Sequence, residues 1–144
     1  MNNQPKFDAL EKMTIPMEAD QELKVAEKAE ELALKMGFGR DPIDEIKLAL
    51  IEAVINSIEH SKSPDRKVYI TFGLNKKPLR MTITISDRGG GFDIESVETP
   101  DIKNKIHKKA RKRGWGLKLM RSLMDEVLVE SSVAGTQITL IKNG

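Results

Sequence analysis

Segments with helical spacing and segments with strand alternation occupy separate parts of this sequence, and their order limits the folds that the chain can adopt. Apolar residues recur at helical spacing from Glu22 to Met36, where Gly37 ends the pattern, and again from about Asp41 to Ser61. Asp41 and Pro42 predict the N-cap and the first residue of that second helix. The remaining predicted elements are strands at Met13–Met17, Lys67–Phe72, Leu79–Ile85, Val127–Ser131 and Thr136–Ile141, and a third helix from Gly116 to about Glu126.

This order predicts an α+β fold, a two-layer α/β sandwich in which helices cover one face of a mostly antiparallel sheet. The connector Gly73–Pro78 favours an antiparallel hairpin between its two flanking strands. We expect a single domain over residues 1–144, with a loose start at residues 1–12. Residues 87–113 lack a strand or helix pattern, and a segment of that length in a small domain is typical of a lid or binding loop.

Composition excludes several classes of protein. The chain has no cysteine, so disulfides, zinc–thiolate sites and thiol catalysis are impossible. No apolar run approaches the roughly 18 residues that a membrane span needs, and the start lacks the apolar stretch of a signal peptide. We therefore expect a soluble cytoplasmic protein without a membrane partner. The net charge is only +2, but the segment Lys103–Arg113 is strongly basic, and such a run either meets an anion or lies in solvent.

Glu52, Asn56 and His60 lie at i, i+4 and i+8 of the second predicted helix, so their side chains stack along one face. Asn56 can offer a carbonyl oxygen to Mg²⁺, which typically takes one or two protein oxygens plus phosphates. Glu52 is placed to accept a proton from an attacking hydroxyl. A solvated helix face or a Glu–Asn–His hydrogen-bond row would explain the same pattern. His60 has a structural role by default.

Asp87 follows a predicted strand and precedes Gly89 and Gly91. Its carboxylate could accept from the amine of adenine, and the glycines would let a flat ring approach the backbone. An ordinary tight turn also uses Asp and Gly. Gly135 and Thr136 begin the last strand, where the Thr136 hydroxyl could support Asp87 directly or through water.

The segment Arg113–Leu117 reads Arg-Gly-Trp-Gly-Leu and opens the third predicted helix. Exposed backbone N–H groups and the helix dipole favour phosphates at such a position, although a glycine-rich helix start needs no ligand. The sequence contains neither a P-loop nor a Rossmann glycine motif.

These motifs, in this order, resemble the GHKL (Bergerat-fold) ATPase superfamily, and Lys47–His60 looks like the bacterial anti-sigma-factor serine kinases of partner-switching systems. The resemblance extends from about Met13 to Lys142. It implies ATP and Mg²⁺ as cofactors, a sigma factor and an anti-anti-sigma (STAS-type) protein as partners, and a homodimer. Trp115 departs from the smaller aliphatic residue that the family often has between the second pair of glycines.

The resemblance also implies residue roles. Glu52 would be the general base for a substrate serine, and Asn56 would hold Mg²⁺. Nucleotide contacts would come from residues of the two glycine boxes and the late Gly-Thr pair, with residues 92–113 as the ATP lid; they are Asp87, Gly89, Gly91, Arg113, Gly114, Gly116, Leu117 and Thr136.

Two alternatives to a protein kinase stay open. The same fold could be a non-catalytic module that holds nucleotide and a partner, although Glu52 argues against it. Residues 103–113 could bind nucleic acid, but the near-neutral total charge and the single nearby aromatic, Trp115, make that partner unlikely.

Overall fold

The computed structural model describes residues 6–89 and 116–144. The calls on Gly91, Arg113, Gly114, Trp115 and the lid 92–113 lie outside these residues. The described elements are β1 (Ala9–Pro16), α1 (Gln21–Met36), α2 (Arg40–His60), β2 (Lys67–Lys76), β3 (Leu79–Ser86), α3 (residues 116–123), β4 (Glu126–Ser132) and β5 (Gly135–Asn143). The five strands form one sheet in the order β1-β2-β3-β5-β4, in which each pair of neighbours is antiparallel. The α+β class and the hairpin of β2 and β3 are thus confirmed.

Strand alternation determines which face of the sheet is covered. On β2, Val68, Ile70 and Phe72 are buried, whereas Tyr69 and Thr71 between them are only half-buried. The buried strand residues share one hydrophobic core with α1, α2 and α3. Burial of this alternating set favours the two-layer arrangement, because each strand offers one apolar face. In the described part of the chain, no helix is long and apolar enough to cross a membrane.

The two long helices are joined by a tight turn and by charged side chains. Gly37 ends α1 with φ of +100°, and its N–H bonds the carbonyls of Ala33 and Leu34. Glu30 on α1 accepts a hydrogen bond from Lys47 of α2, and this bond lowers the pKa of the Glu30 carboxyl. Arg40 Nη2 lies 3.5 Å from Glu30 Oε2. These contacts fix α2, which carries the predicted base and metal ligand, against α1.

Several predicted boundaries are wrong. The N-cap of α2 is Gly39, so Asp41 and Pro42 lie inside the first helical turn. Proline is tolerated there because the first-turn N–H groups have no partner within the helix. Residues 1–12 were expected to be loose, but strand β1 begins at Ala9, because Ala9 already pairs with Leu74 of β2.

Two later boundaries also differ from prediction. Strand β2 continues to Lys76, through most of the expected connector, and pairs with β3 as far as Leu79. Helix α3 ends at residue 123 because Asp125 N–H already bonds the Ile141 carbonyl and Glu126 pairs with β5. The start of β1 and the end of α3 thus depend on strand pairing between residues far apart in sequence.

The buried side chain of Lys142 on β5 contacts both α2 and α3. Its ammonium donates to the Leu123 carbonyl at the end of α3 and lies 3.0 Å from Glu45 Oε1 of α2. A cation at a helix C-terminus also interacts favourably with the helix dipole. Lys142 therefore holds α3 beside α2, the helix that α3 must approach at the candidate site.

Candidate nucleotide site

Glu52 and Asn56 lie one turn apart on α2, beside the start of the described part of α3. Asn56 is buried, with 4% of its surface exposed, and Glu52 is half-buried. A Cβ atom placed on Gly116 would lie 3.0 Å from Glu52 Oε2 and 3.2 Å from Asn56 Nδ2. The absence of a side chain at Gly116 therefore allows α3 to approach both polar groups, and the structure brings these three predicted residues together.

The side-chain carbonyl of Asn56 is an orphaned buried acceptor. Its Oδ1 has no hydrogen-bond partner among residues 6–89 and 116–144. A buried acceptor without a partner costs roughly 1–3 kcal/mol, so such a group commonly marks a ligand or water position. Within the same residues, no group of three or more His, Cys, Asp or Glu side chains could form a protein cage for a metal. This donor set fits Mg²⁺ held by one protein oxygen together with phosphate oxygens.

Asp87 lies at the end of β3 and is tied to the start of β5. Its Oδ1 accepts from the N–H of Gly89 at 3.0 Å and from the N–H of Thr136 at 3.4 Å. Its own N–H donates to the Thr136 carbonyl at 3.1 Å. Asp87 is 6% exposed, and its Oδ2 takes part in none of the hydrogen bonds between described residues. Two backbone N–H groups thus orient the carboxylate through Oδ1.

Gly135 makes the contact between β5 and Asp87 possible. Its φ is +139°, and a Cβ there would lie 2.0 Å from the Asp87 carbonyl oxygen. A side chain at Gly135 would therefore separate the two strand ends. The close approach positions the Thr136 N–H on the carboxylate.

Thr136 contacts Asp87 through its backbone. The prediction of direct support by the Thr136 hydroxyl is wrong for the described residues, because the N–H makes that hydrogen bond. The hydroxyl oxygen is buried and has no partner in the described part of the chain. A contact through water stays a prediction.

Two predicted residues have clear packing roles. Gly89 lies against the loop between α2 and β2, where an added Cβ would come within 2.9 Å of both Ser61 Oγ and Ser63 N. Leu117 is 4% exposed and belongs to the hydrophobic core, so its side chain stabilises α3. Any nucleotide contact from Leu117 would come from its backbone.

The sequence of the chain is similar to that of known proteins. Residues 15–142 match the family model of the histidine kinase-like ATPase domain. The chain belongs to this family. Membership accounts for the α+β fold and implies ATP binding.

The relatives of this ATPase domain include kinases of known name. Serine-protein kinase RsbW of Oceanobacillus iheyensis is 31% identical over 114 residues, which cover 77% of this chain and 72% of that protein. Serine-protein kinase RsbW of Bacillus subtilis strain 168 is 30% identical over 116 residues, covering 77% and 71%. A solved structure of the RsbU and RsbW domains of a Mycobacterium tuberculosis protein has a TM-score of 0.69 and 19% identity. The match covers 93% of this chain and 32% of the solved chain, and it supports the fold alone.

Sequence reasoning missed one group of residues in this ATPase domain. Arg88, between Asp87 and Gly89, has its guanidinium carbon 4.4 Å from the centre of the Tyr69 ring, and the Tyr69 hydroxyl donates to Asp65. No role was predicted from the sequence for Asp65, Tyr69 or Arg88. A signal was available, since Tyr69 is the single tyrosine of the chain and lies four residues after Asp65, but Arg88 becomes its neighbour only when β2 pairs with β3.

Proposed function

We propose that the chain is an ATP-dependent protein serine kinase that also acts as an anti-sigma factor. The observation that carries the proposal is that Glu52, Asn56 and Gly116 lie together. They combine a carboxylate, an amide oxygen that has no partner within residues 6–89 and 116–144, and a backbone position without a side chain. The relatives named serine-protein kinase RsbW support the same activity.

In this proposal each group has one task. Asp87 Oδ2 accepts from the adenine amine while its Oδ1 stays bound to Gly89 and Thr136. Asn56 Oδ1 would hold Mg²⁺, which neutralises phosphate charge when bound. Glu52 accepts the proton of a substrate serine hydroxyl as that oxygen attacks the γ-phosphorus, while the bond from the γ-phosphorus to the β,γ-bridging oxygen breaks and ADP leaves. Such a site acts mainly by positioning and charge neutralisation, which are the main requirements of phosphoryl transfer.

We further propose the remaining contacts. The backbone of Gly114 and Gly116 and the Arg113 side chain would bind phosphates, Gly89 and Gly91 would line the adenine pocket, and residues 92–113 would close over ATP as a lid. The partners would be a sigma factor and an anti-anti-sigma protein of the STAS type, and the chain would act as a cytoplasmic homodimer. Phosphorylation of the anti-anti-sigma protein would release it and leave the kinase free to hold sigma.

The test is phosphoryl transfer from labelled ATP to candidate anti-anti-sigma proteins encoded in the same genome. Glu52→Gln should bind ATP normally but lose about 10²- to 10⁴-fold in transfer rate, which is the usual contribution of a general base. Asp44→Asn is the matched control, since it makes the same change on α2 at a side chain that is 61% exposed. If Glu52→Gln retains full transfer, Glu52 is not the base. If the wild type binds ATP but phosphorylates none of these proteins, a non-catalytic module is favoured.

A further inference from the structure

A hydrogen-bonded cluster surrounds Asp65 in the loop between α2 and β2. Its Oδ1 accepts from Ser63 Oγ at 2.5 Å and from the Lys67 N–H at 3.1 Å, and its Oδ2 accepts from the Tyr69 hydroxyl. The Ser63 and Tyr69 bonds lower the pKa of Asp65 to about 2, and the Asp65 bond raises the pKa of Tyr69. At neutral pH the carboxylate is therefore charged and the phenol is a neutral donor, so the ring has a fixed position.

The Tyr69 ring lies beside the turn that carries Asp87, the carboxylate proposed to bind adenine. Arg88 lies over Tyr69 at 4.4 Å from the ring centre, which is within the range of a cation–π interaction. Tyr69 pairs with Ser86 across β2 and β3, so ring and turn share one end of the sheet. Arg88 separates Asp87 from Gly89, and the Gly89 N–H is one of the two donors that orient Asp87 Oδ1.

Gly89 provides a second connection between the same two loops. The space that its Cβ would fill is occupied by Ser61 and Ser63, which directly follow α2. The Asp87–Gly89 turn is thus held from both sides, by the Tyr69 ring through Arg88 and by the loop that continues from the helix of Glu52 and Asn56.

We propose that Tyr69, acting through Arg88, is a positioning residue that orients Asp87 for adenine. This inference rests on the proposed nucleotide site and adds a residue outside it. Without the ring, Arg88 loses its support, the Gly89 N–H becomes freer to turn from Asp87 Oδ1, and the carboxylate loses part of its orientation. The expected defect is weaker adenine recognition with an unchanged transfer rate at saturating ATP.

The first test is a double-mutant cycle on ATP binding, measured by calorimetry with inosine triphosphate in parallel. Tyr69→Leu and Arg88→Ala should each weaken ATP binding by about two- to fivefold, because an exposed cation–π contact contributes about 0.5–1 kcal/mol. The double variant should be no weaker than either single one. Tyr69→Phe keeps the ring and should lose less than Tyr69→Leu. Arg80→Ala is the control, since Arg80 lies at the other end of β3 and bonds Asn143.

The second test uses Tyr69 as its own probe, because no other tyrosine contributes to phenolate absorbance. Coupling between two sites is reciprocal, so saturating ATP should shift the titration midpoint of the phenol, and Arg88→Ala should abolish that shift. A purely structural tyrosine would titrate identically with and without ATP.

The outcomes separate this inference from the proposed function. If the wild type binds no ATP, the nucleotide site itself is refuted. If the wild type binds ATP but folded Tyr69→Leu binds ATP and inosine triphosphate like the wild type, the role of Tyr69 is refuted alone. If only Arg88→Ala weakens binding, Arg88 acts without Tyr69 and the inference is also overturned.

Discussion

Replacing Asp87 by asparagine should change which base the site prefers. Both groups that contact Oδ1 are N–H donors, from Gly89 and Thr136, so the carbonyl oxygen of the new amide must take that position. The amide nitrogen then replaces Oδ2. A hydrogen-bond acceptor for the adenine amine is thereby converted into a donor.

The magnitude follows from the lost hydrogen bond. A hydrogen bond to a charged group contributes about 1.5–3 kcal/mol, so ATP binding should weaken by about 10- to 150-fold. Inosine triphosphate presents a carbonyl where adenine has its amine, and should bind Asp87→Asn more tightly than it binds the wild type. Folding should change little, because both backbone donors keep an acceptor.

The assay is calorimetric titration with ATP and inosine triphosphate, alongside urea unfolding. Asp125→Asn is the matched control, since Asp125 Oδ2 also accepts a backbone N–H, from Asn143 at 2.7 Å, at the opposite end of β5. Equal losses for both nucleotides in a variant of normal stability would show that Asp87 does not contact the base. A collapse in stability would show that the carboxylate charge holds the turn.

Three further outcomes are expected. Gly116→Ala should slow phosphoryl transfer by about 10- to 100-fold with a nearly unchanged urea midpoint, because the new Cβ meets the movable end of Glu52 at 3.0 Å; an unchanged rate would contradict this. Gly135→Ala should destabilise the fold by at least about 1–3 kcal/mol in urea unfolding, since the Asp87 carbonyl at 2.0 Å cannot yield, and a wild-type midpoint would refute it. Because the pKa of Asp65 is lowered to about 2, its stabilisation is complete above about pH 4 and is lost as pH falls towards 2. Asp65→Asn should flatten that part of an acid-unfolding curve, and an identical slope would count against the cluster.

Local sequence signals predicted the elements well and their ends less well. Helix α1 and the first part of β2 follow from side-chain periodicity, which residues near in sequence determine. The N-cap of α2 was misplaced because Asp41 and Pro42 suit the first turn as well as the start itself. The early start of β1 depends on pairing with β2, more than 50 residues away in the chain, which no local pattern contains.

The site also combines features set by local sequence with features set by pairing between strands. The stacking of Glu52 and Asn56 was predictable, because one helix determines it through its turn. The contact of Asp87 with Thr136 requires the register of β3 against β5, and the contact of Arg88 with Tyr69 requires the register of β2 against β3. Sequence alone gave the residue types at these positions, but the backbone contact from Thr136 needed the folded sheet.

Two of the three glycines of the site, Gly89 and Gly135, are required by protein contacts before any ligand is considered. A Cβ added at Gly135 or Gly89 would lie 2.0 or 2.9 Å from backbone atoms. The nearest atom to a Cβ on Gly116 is instead the carboxylate oxygen of Glu52. Alanine at either of the first two must therefore move the chain, and lost ATP binding there would not identify a nucleotide contact. At Gly116 the nearest atoms all belong to the side chains of Glu52 and Asn56, so an alanine there can separate catalysis from folding. That difference makes Gly116, rather than the more constrained glycines, the informative position for testing the kinase mechanism.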